Sequence, residues 1–325
     1  MQTHAIRIHE FGGPDVLSWE DAAVPDPGAG EALIRHTAIG LNFIDVYHRT
    51  GLYPMQLPTG LGREAAGVIA ATGPGVTDVG IGDRVVYTGG KLGSYAEVRT
   101  IAASGLVPIP DDIADDIAAA VFLKGLTAWY LLHHSYRVQP GDPILFYAAA
   151  GGVGSIATQW AKQLGATVIG VVSTPDKAKI AAANGCDHIL MSDDSDMPDM
   201  VRALTGGAGV AAVYDSVGKD TFMTSLDCLR PHGTMVTFGN ASGAVEPFAP
   251  AELAKRGSLY VTRPILEHFV PTREKLLAAA TTLFAFIRDG KPNIRIGQTY
   301  ALKDAAQAHR DLEARETTGS TILLP

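Results

Sequence analysis

Cysteine is scarce. Cys186 and Cys228 are the only two among 325 residues, and they stand far apart. That pair excludes a four-cysteine zinc lobe and gives no disulfide framework. Charge is also thin: Asp, Glu, Lys and Arg make up 18% of the chain, and the net charge is −8. The acidic balance leaves no broad basic face, so nucleic acid is not an expected partner. Long hydrophobic runs are missing too. Ile117–Leu123 is among the longest, far too short to span a bilayer. The opening residues, Met1 to Arg7, hold no apolar core of a secretion signal. The expectation is a soluble protein of a reducing compartment, the cytoplasm, with no membrane partner.

What is present is a compact, apolar-rich chain, 46% hydrophobic, with 36 glycines. Its length allows one large domain or two ordinary ones. Roughly the first 120 residues read as β-rich, a small barrel or sandwich. Glu31–Ile39, 67–71 and 83–87 are strand-like, with glycine turns at 73–75 and 80–83 between them. Beyond residue 123 strands and helices alternate. Pro143–Tyr147 reads as a buried strand, 153–164 as a helix and 166–172 as the next strand. Thr174-Pro175-Asp176 has the chemistry of a helix start, and Gly185 of its end. Further strands are expected at His188–Met191, 210–214, 234–238 and 258–262. Six strands alternating with helices predict a doubly wound parallel sheet. An amphipathic helix over 273–288, a shorter one over 304–315 and a strand over 321–324 are too little for a core of their own. They are expected to return to the first domain. The predicted division is 1–123 with 265–325, and 124–264.

The sharpest local signal is Ala148-Ala149-Ala150-Gly151-Gly152-Val153-Gly154, between a strand and a helix. A diphosphate must approach such a turn closely, and the helix start offers free N–H groups and partial positive charge. Gly151, Gly152, Val153 and Gly154 are the expected cradle. A tight helix–sheet junction without ligand is the competing reading. NAD-selective sites place an acid at the end of the second strand, about 20 residues on. Here Ser173 stands at that point, with Lys177 one turn later. No carboxylate and a nearby cation favour NADPH. Lys177 also fits a solvated helix face.

Other stretches carry a family resemblance. Gly62-Arg63-Glu64-Ala65-Ala66-Gly67, Gly73, Gly75-Val76 and Gly82-Asp83-Arg84-Val85 resemble the GroES-like signature of medium-chain dehydrogenases and reductases. Asn42-Phe43-Ile44-Asp45, Gly51-Leu52-Tyr53-Pro54, Leu123-Lys124-Gly125-Leu126-Thr127, Tyr214-Asp215-Ser216-Val217-Gly218, Phe238-Gly239-Asn240 and Tyr260-Val261-Thr262-Arg263-Pro264 resemble the zinc-free NADPH:quinone oxidoreductases, relatives of zeta-crystallin. The resemblance runs the length of the chain. It implies a GroES-like catalytic domain plus a Rossmann domain, an α/β protein that reduces quinones in the cleft between them. It also implies a homodimer, and the strand over 258–262 is the expected pairing edge.

Zinc-dependent relatives carry Cys where Asn42 stands and His where Arg63 stands. Without those ligands no catalytic zinc is expected. A quinone needs little electrophilic help, because reduction makes its ring aromatic; position and electrostatics are what the protein must supply. The resemblance places Asn42 and Thr127 at the nicotinamide. Asp45, Tyr47 and Tyr53 lie on the substrate side, the tyrosines able to stack on a flat ring. Thr127 is expected to begin the crossing helix. Ser216, Val217, Phe238, Gly239, Asn240, Thr262 and Arg263 follow strand ends, where open α/β sheets bind ligands. At the 2′-phosphate the family uses a lysine, a C-terminal arginine and a tyrosine. Lys177 and Arg315 match the first two, and Ser192 replaces the third. Each substrate residue also has a plainer reading: the tyrosines as packing, Asp45 as a turn cap, Arg63 with Glu64 as an ion pair. Two other functions compete, an NADPH-dependent enone or alkenal reductase and a crystallin-like protein that binds NADPH without turnover.

Overall fold

The computed structural model describes all 325 residues, which divide into two compact units. The first takes Met1–Lys124, Val270–Phe284 and Ile294–Pro325; the second takes Gly125–Phe269 and Ala285–Asn293. Residue 285 divides the long helix near the C-terminus between the two units. Strand Ser320–Leu324 pairs antiparallel with strand Glu31–Leu41, Thr321 opposite Leu41. No helix is long and apolar enough to cross a membrane.

In the first unit a seven-stranded sheet is built around Glu31–Leu41. The burial of that strand alternates along its first half, as a strand with one face on a core must. Its neighbours are Glu64–Thr72 and Ser320–Leu324, with Val98–Ala102 pairing its start. A smaller sheet joins Gln2–Ile8 to Ser18–Ala23 and Thr59–Gly60. Ile8, Ile34, Ile39, Ile69, Val85 and Leu106 fill the core. The register matters for the site: Gly40 lies opposite Glu64, so Glu64 emerges beside Asn42. Asn42 then opens the helix Phe43–Thr50, which Gly51 ends in the left-handed conformation at φ 80°.

The second unit carries six parallel strands. Across the sheet they run His188–Met191, Thr167–Val172, Pro143–Tyr147, Val210–Asp215, Leu229–Thr237, Tyr260–Thr262. In chain order that is 3-2-1-4-5-6, the doubly wound arrangement, with its reversal between Pro143–Tyr147 and Val210–Asp215. Strand Val210–Asp215 is buried at every position, as a central parallel strand covered on both faces should be. Helix Pro175–Ala183 starts where Thr174 accepts the Lys177 N–H at 3.3 Å.

Two expectations are corrected. Thr127 does not begin a helix. It sits in the last turn of Asp115–Tyr130, which passes into a π-turn over Leu131–Ser135. That helix is apolar nearly all round, with Ala118 to Phe122 buried without a break, so no 3.6-residue pattern marks its start. Arg315 is not helical. The helix ends at Glu313, and Arg315 follows in the left-handed region at φ 61°.

Candidate active site

The glycine turn is the best-defined element of the second unit. Strand Pro143–Tyr147 ends, Ala148 turns through φ 51°, and Gly151 caps the helix Gly152–Gln163. Gly151 supplies no side-chain acceptor, so its cap leaves the first N–H groups for a ligand. A Cβ on Gly154 would meet the Ala148 carbonyl oxygen at 2.2 Å and the Ala149 Cα at 2.8 Å. Only glycine lets the helix sit this close to the strand end. An unencumbered turn at a helix start fits a diphosphate in shape and charge.

At the end of the second strand, Lys177 Nζ lies 3.5 Å from Ser173 Oγ. Both face solvent at least in part, as does Ser192, which follows the third strand and holds Val172 O through its N–H at 2.8 Å. The structure thus brings Ser173 and Lys177 together with no acid between them. Arg315 belongs to the first unit.

The ends of the fourth and fifth strands also converge. Buried Asp215 accepts the Val217 N–H at 2.7 Å and the Gly218 N–H at 3.1 Å on one oxygen. Its other oxygen takes Thr221 and Ser225 hydroxyls at 2.7 and 2.9 Å. Burial pushes this carboxyl up, and its four donors counter that cost. They fix the Ser216–Val217 turn. Gly239 lies against Ser216, where a Cβ would meet Ser216 O at 2.3 Å. Arg263 donates to Thr237 O at 3.1 Å, which sets Thr262 and Arg263 beside Phe238.

In the first unit Asn42, Asp45 and Tyr47 lie on the helix Phe43–Thr50 and its cap, and Tyr53 follows just past its end. Asp45 closes one half of a capping box, accepting the Asn42 N–H on Oδ2 at 2.9 Å, while its own N–H donates to the Asn42 carbonyl oxygen at 2.9 Å. The Asn42 side chain donates through Nδ2 to Glu64 Oε2 at 2.8 Å and to Gly40 O at 3.3 Å. The Tyr47 and Tyr53 rings meet edge to face, centroids 5.3 Å apart, and Phe43 lies 5.4 Å from Tyr47. Tyr47 is buried and Tyr53 half-buried.

Sequence reasoning did not find Lys124 as a partner of this cluster. Its ammonium is 3.4 Å from Glu64 Oε2, both side chains nearly out of water. Nor did it find Tyr95, which donates to Asp45, or His309 and Arg49 in line behind it, through hydrogen bonds that span 50, 214 and 260 residues of chain. No local pattern could have signalled them. Asn42 and Arg63 offer an amide and a guanidinium, neither a zinc donor of the Cys or His kind. No three His, Cys, Asp or Glu side chains converge as a metal set.

Family models match both parts of the chain: an alcohol dehydrogenase GroES-like domain over residues 28–111 and a zinc-binding dehydrogenase over 152–277. The donor set at Asn42 and Arg63 does not fit the zinc of the second description. A quinone oxidoreductase of Pseudomonas aeruginosa is 50% identical over 98% of this chain and 99% of its own. A 2-haloacrylate reductase of a Burkholderia species is 45% identical over 99% of this chain and 98% of its own. The crystal structure of Escherichia coli quinone oxidoreductase complexed with NADPH superposes with a TM-score of 0.97. It is 47% identical and covers 99% of this chain and 100% of that one. The chain belongs to the quinone oxidoreductase family of the medium-chain dehydrogenases and reductases.

Proposed function

We propose that this protein is an NADPH:quinone oxidoreductase that works without zinc. The observation that carries the reading is full-length identity of 47–50% to quinone oxidoreductases, one of them solved with NADPH. When bound, the nicotinamide supplies the hydride.

The chain's own residues do the rest. Gly152, Val153 and Gly154 hold the diphosphate through their N–H groups, and Gly151, whose own N–H donates to the Ala148 carbonyl at 2.8 Å, leaves it room. Lys177 and Arg315 take the 2′-phosphate, with the Ser173 and Ser192 hydroxyls as neutral partners. Ser216, Val217, Phe238, Gly239, Asn240, Thr262 and Arg263 carry the nucleotide past the strand ends. Asn42 and Thr127 orient the carboxamide end. Tyr47 and Tyr53 form the aromatic wall for a flat quinone, and their hydroxyls can meet its oxygens. Reduction leaves an electron-rich ring that spreads its charge, so placement and exclusion of water are the main demands on the protein.

The reading includes a homodimer. Tyr260–Thr262 is the edge strand of the six-stranded sheet, and Tyr260 on it is 62% exposed. An unpaired edge of that kind supports pairing with a second copy across a two-fold axis. Cytoplasmic residence accords with two free, buried thiols.

Reduction of activated alkenes is the second reading, favoured by the 45% identical 2-haloacrylate reductase. Steady-state NADPH oxidation with 1,4-quinones, alkenals and 2-chloroacrylate separates the two. Quinones turning over faster by about tenfold or more in kcat/KM support the first. Quinone rates no better than buffer, with alkene turnover intact, overturn it.

A further inference from the structure

Below the helix that carries Asn42 and Tyr47 runs a line of buried polar groups that the chemistry above leaves unused. Arg49, Tyr95 and His309 are each 0% exposed. Arg49 Nη1 is 3.0 Å from His309 Nδ1, and His309 Nε2 is 3.1 Å from the Tyr95 hydroxyl. The hydroxyl donates to Asp45 Oδ2 at 3.0 Å, the oxygen that also takes the Asn42 N–H at 2.9 Å. At the far end Arg49 is anchored to Glu313 Oε1 at 2.7 Å and Gly12 O at 3.1 Å.

The line has one consistent polarity. A guanidinium donates and never accepts, so His309 Nδ1 must be the acceptor. The neutral ring then carries its proton on Nε2 and gives it to the Tyr95 oxygen. Burial and the Arg49 charge keep that ring neutral, its pKa pushed down to about 3. Tyr95 passes its only proton toward Asp45. Every hydrogen in the line thus points at Oδ2, and a charged acceptor strengthens the bonds that reach it.

Asp45 needs that help. It is fully buried, and its Oδ1 has no partner. Burial pushes the carboxyl up to about 7 against the donated bonds from Asn42 and Tyr95 and the charges of Lys124 and Arg63. Glu64 and Arg49 complete the charged surroundings through their effect on Tyr95.

We propose that Tyr95 and His309, anchored by Arg49, are positioning residues for the reaction: they hold Asp45 as a carboxylate, and Asp45 fixes the helix start that presents Asn42 and Tyr47. The inference rests on the reading above that Asn42 and Tyr47 serve the nicotinamide and the quinone. Protonation of Asp45 weakens its grip on the Asn42 N–H and loosens that presentation, so turnover follows the Asp45 charge although the group is wholly buried.

The test follows kcat across neutral pH with saturating NADPH and 1,4-benzoquinone. Alongside it, the Asp45 carboxyl is titrated by carbon-13 NMR in the NADPH-loaded enzyme. Tyr95→Phe keeps the ring and deletes the donated bond. The acid limb of kcat and the Asp45 titration should both rise by about one pH unit, with KM for NADPH unchanged. His309→Leu should shift both the same way. His309→Gln, which still accepts from Arg49 and donates to Tyr95, should restore the original limb. A merely structural role would lower Tm and leave the limb in place. A limb and an Asp45 titration that stay put in folded Tyr95→Phe and His309→Leu overturn the inference. If Tyr95→Phe does not fold, the two His309 variants decide between these outcomes. Asn42→Ala serves as the control. Unchanged kcat there sinks the site reading together with this inference. Lost kcat there, with unmoved limbs in the other variants, sinks this inference alone.

Discussion

Gly154 lies so close beneath the Ala148 carbonyl that a methyl group on it would sit 2.2 Å from the oxygen. The contact is with backbone and cannot be relieved by a side-chain rotation. Gly154→Ala should therefore pry the helix Gly152–Gln163 off the strand end and cost about 2 kcal/mol or more of stability. NADPH affinity should fall at least about tenfold. Gly151→Ala, whose Cβ has 3.2 Å to the same oxygen at an ordinary φ of −83°, should be far milder. Thermal unfolding and NADPH fluorescence titration of both variants check the contrast; equal effects would contradict it.

Ala148 itself adopts φ 51°, a conformation that costs an L-residue about 1 kcal/mol. Ala148→Gly relieves that strain and should be neutral to stabilising by up to about 1 kcal/mol with cofactor affinity retained. Urea denaturation reads the difference. A clear destabilisation would show that the Ala148 methyl packs usefully enough to outweigh the strain.

Lys177→Ala together with Arg315→Ala should raise KM for NADPH by about tenfold to a hundredfold while moving KM for NADH little, because only the former has the extra phosphate. Equal loss for both cofactors would remove these residues from the ribose end.

Glu64 and Lys124 form an ion pair whose side chains are 0% and 6% exposed. Glu64→Gln strands the ammonium in the interior and should cost about 3 kcal/mol. Adding Lys124→Met removes the stranded charge and should recover much of the loss. Chemical denaturation of the single and double variants decides it, and a single variant within about 0.5 kcal/mol of the parent would refute the burial argument.

Acid stability should depend on two buried histidines. Burial lowers His36 to about 4 and His309 to about 3 from the ordinary 6.5. The unfolded chain binds protons below 6.5 while the folded one does not, so their contribution is complete above that value and lost as pH falls toward 4. Each costs about 1.4 kcal/mol per pH unit over that window. Asp45 acts in the opposite sense. Its pKa is raised to about 7, so its contribution is present below 3.8 and lost as pH rises through 7. His309→Gln should flatten the fall in Tm between about pH 6.5 and pH 4. Asp45→Asn should gain Tm relative to the parent between about pH 5 and pH 8. Parallel Tm curves for parent and variants would contradict both assignments.

Local chemistry made the second unit readable. Pro143–Tyr147 and His188–Met191 match their expected spans, because buried parallel strands are short apolar runs between turn residues. Thr174 caps its helix as its chemistry predicts. The start of the chain was harder. Gln2–Ile8 and Ser18–Ala23 pair with each other across a loop, and neither has the composition of a clear strand on its own. Helix Asp115–Tyr130 hid because burial all round erased its periodicity. Asn42 and Asp45 could be picked out by family resemblance, but their partners could not. Glu64 reaches Asn42 through strand register, and Tyr95 and His309 reach Asp45 only through the tertiary fold.

Hydride delivery from NADPH to a quinone is the step on which the function of this chain turns. Anaerobic single-turnover oxidation of NADPH carrying deuterium at C4 of the nicotinamide, with 1,4-benzoquinone as acceptor, tests it most directly. One hydroquinone should form per NADPH consumed, and the deuterium should slow the reaction when hydride transfer limits the step. Gly154→Ala, at the same cofactor concentration, should run at a small fraction of the parent rate. NADPH that stays reduced in the presence of enzyme and quinone would contradict hydride delivery by this chain.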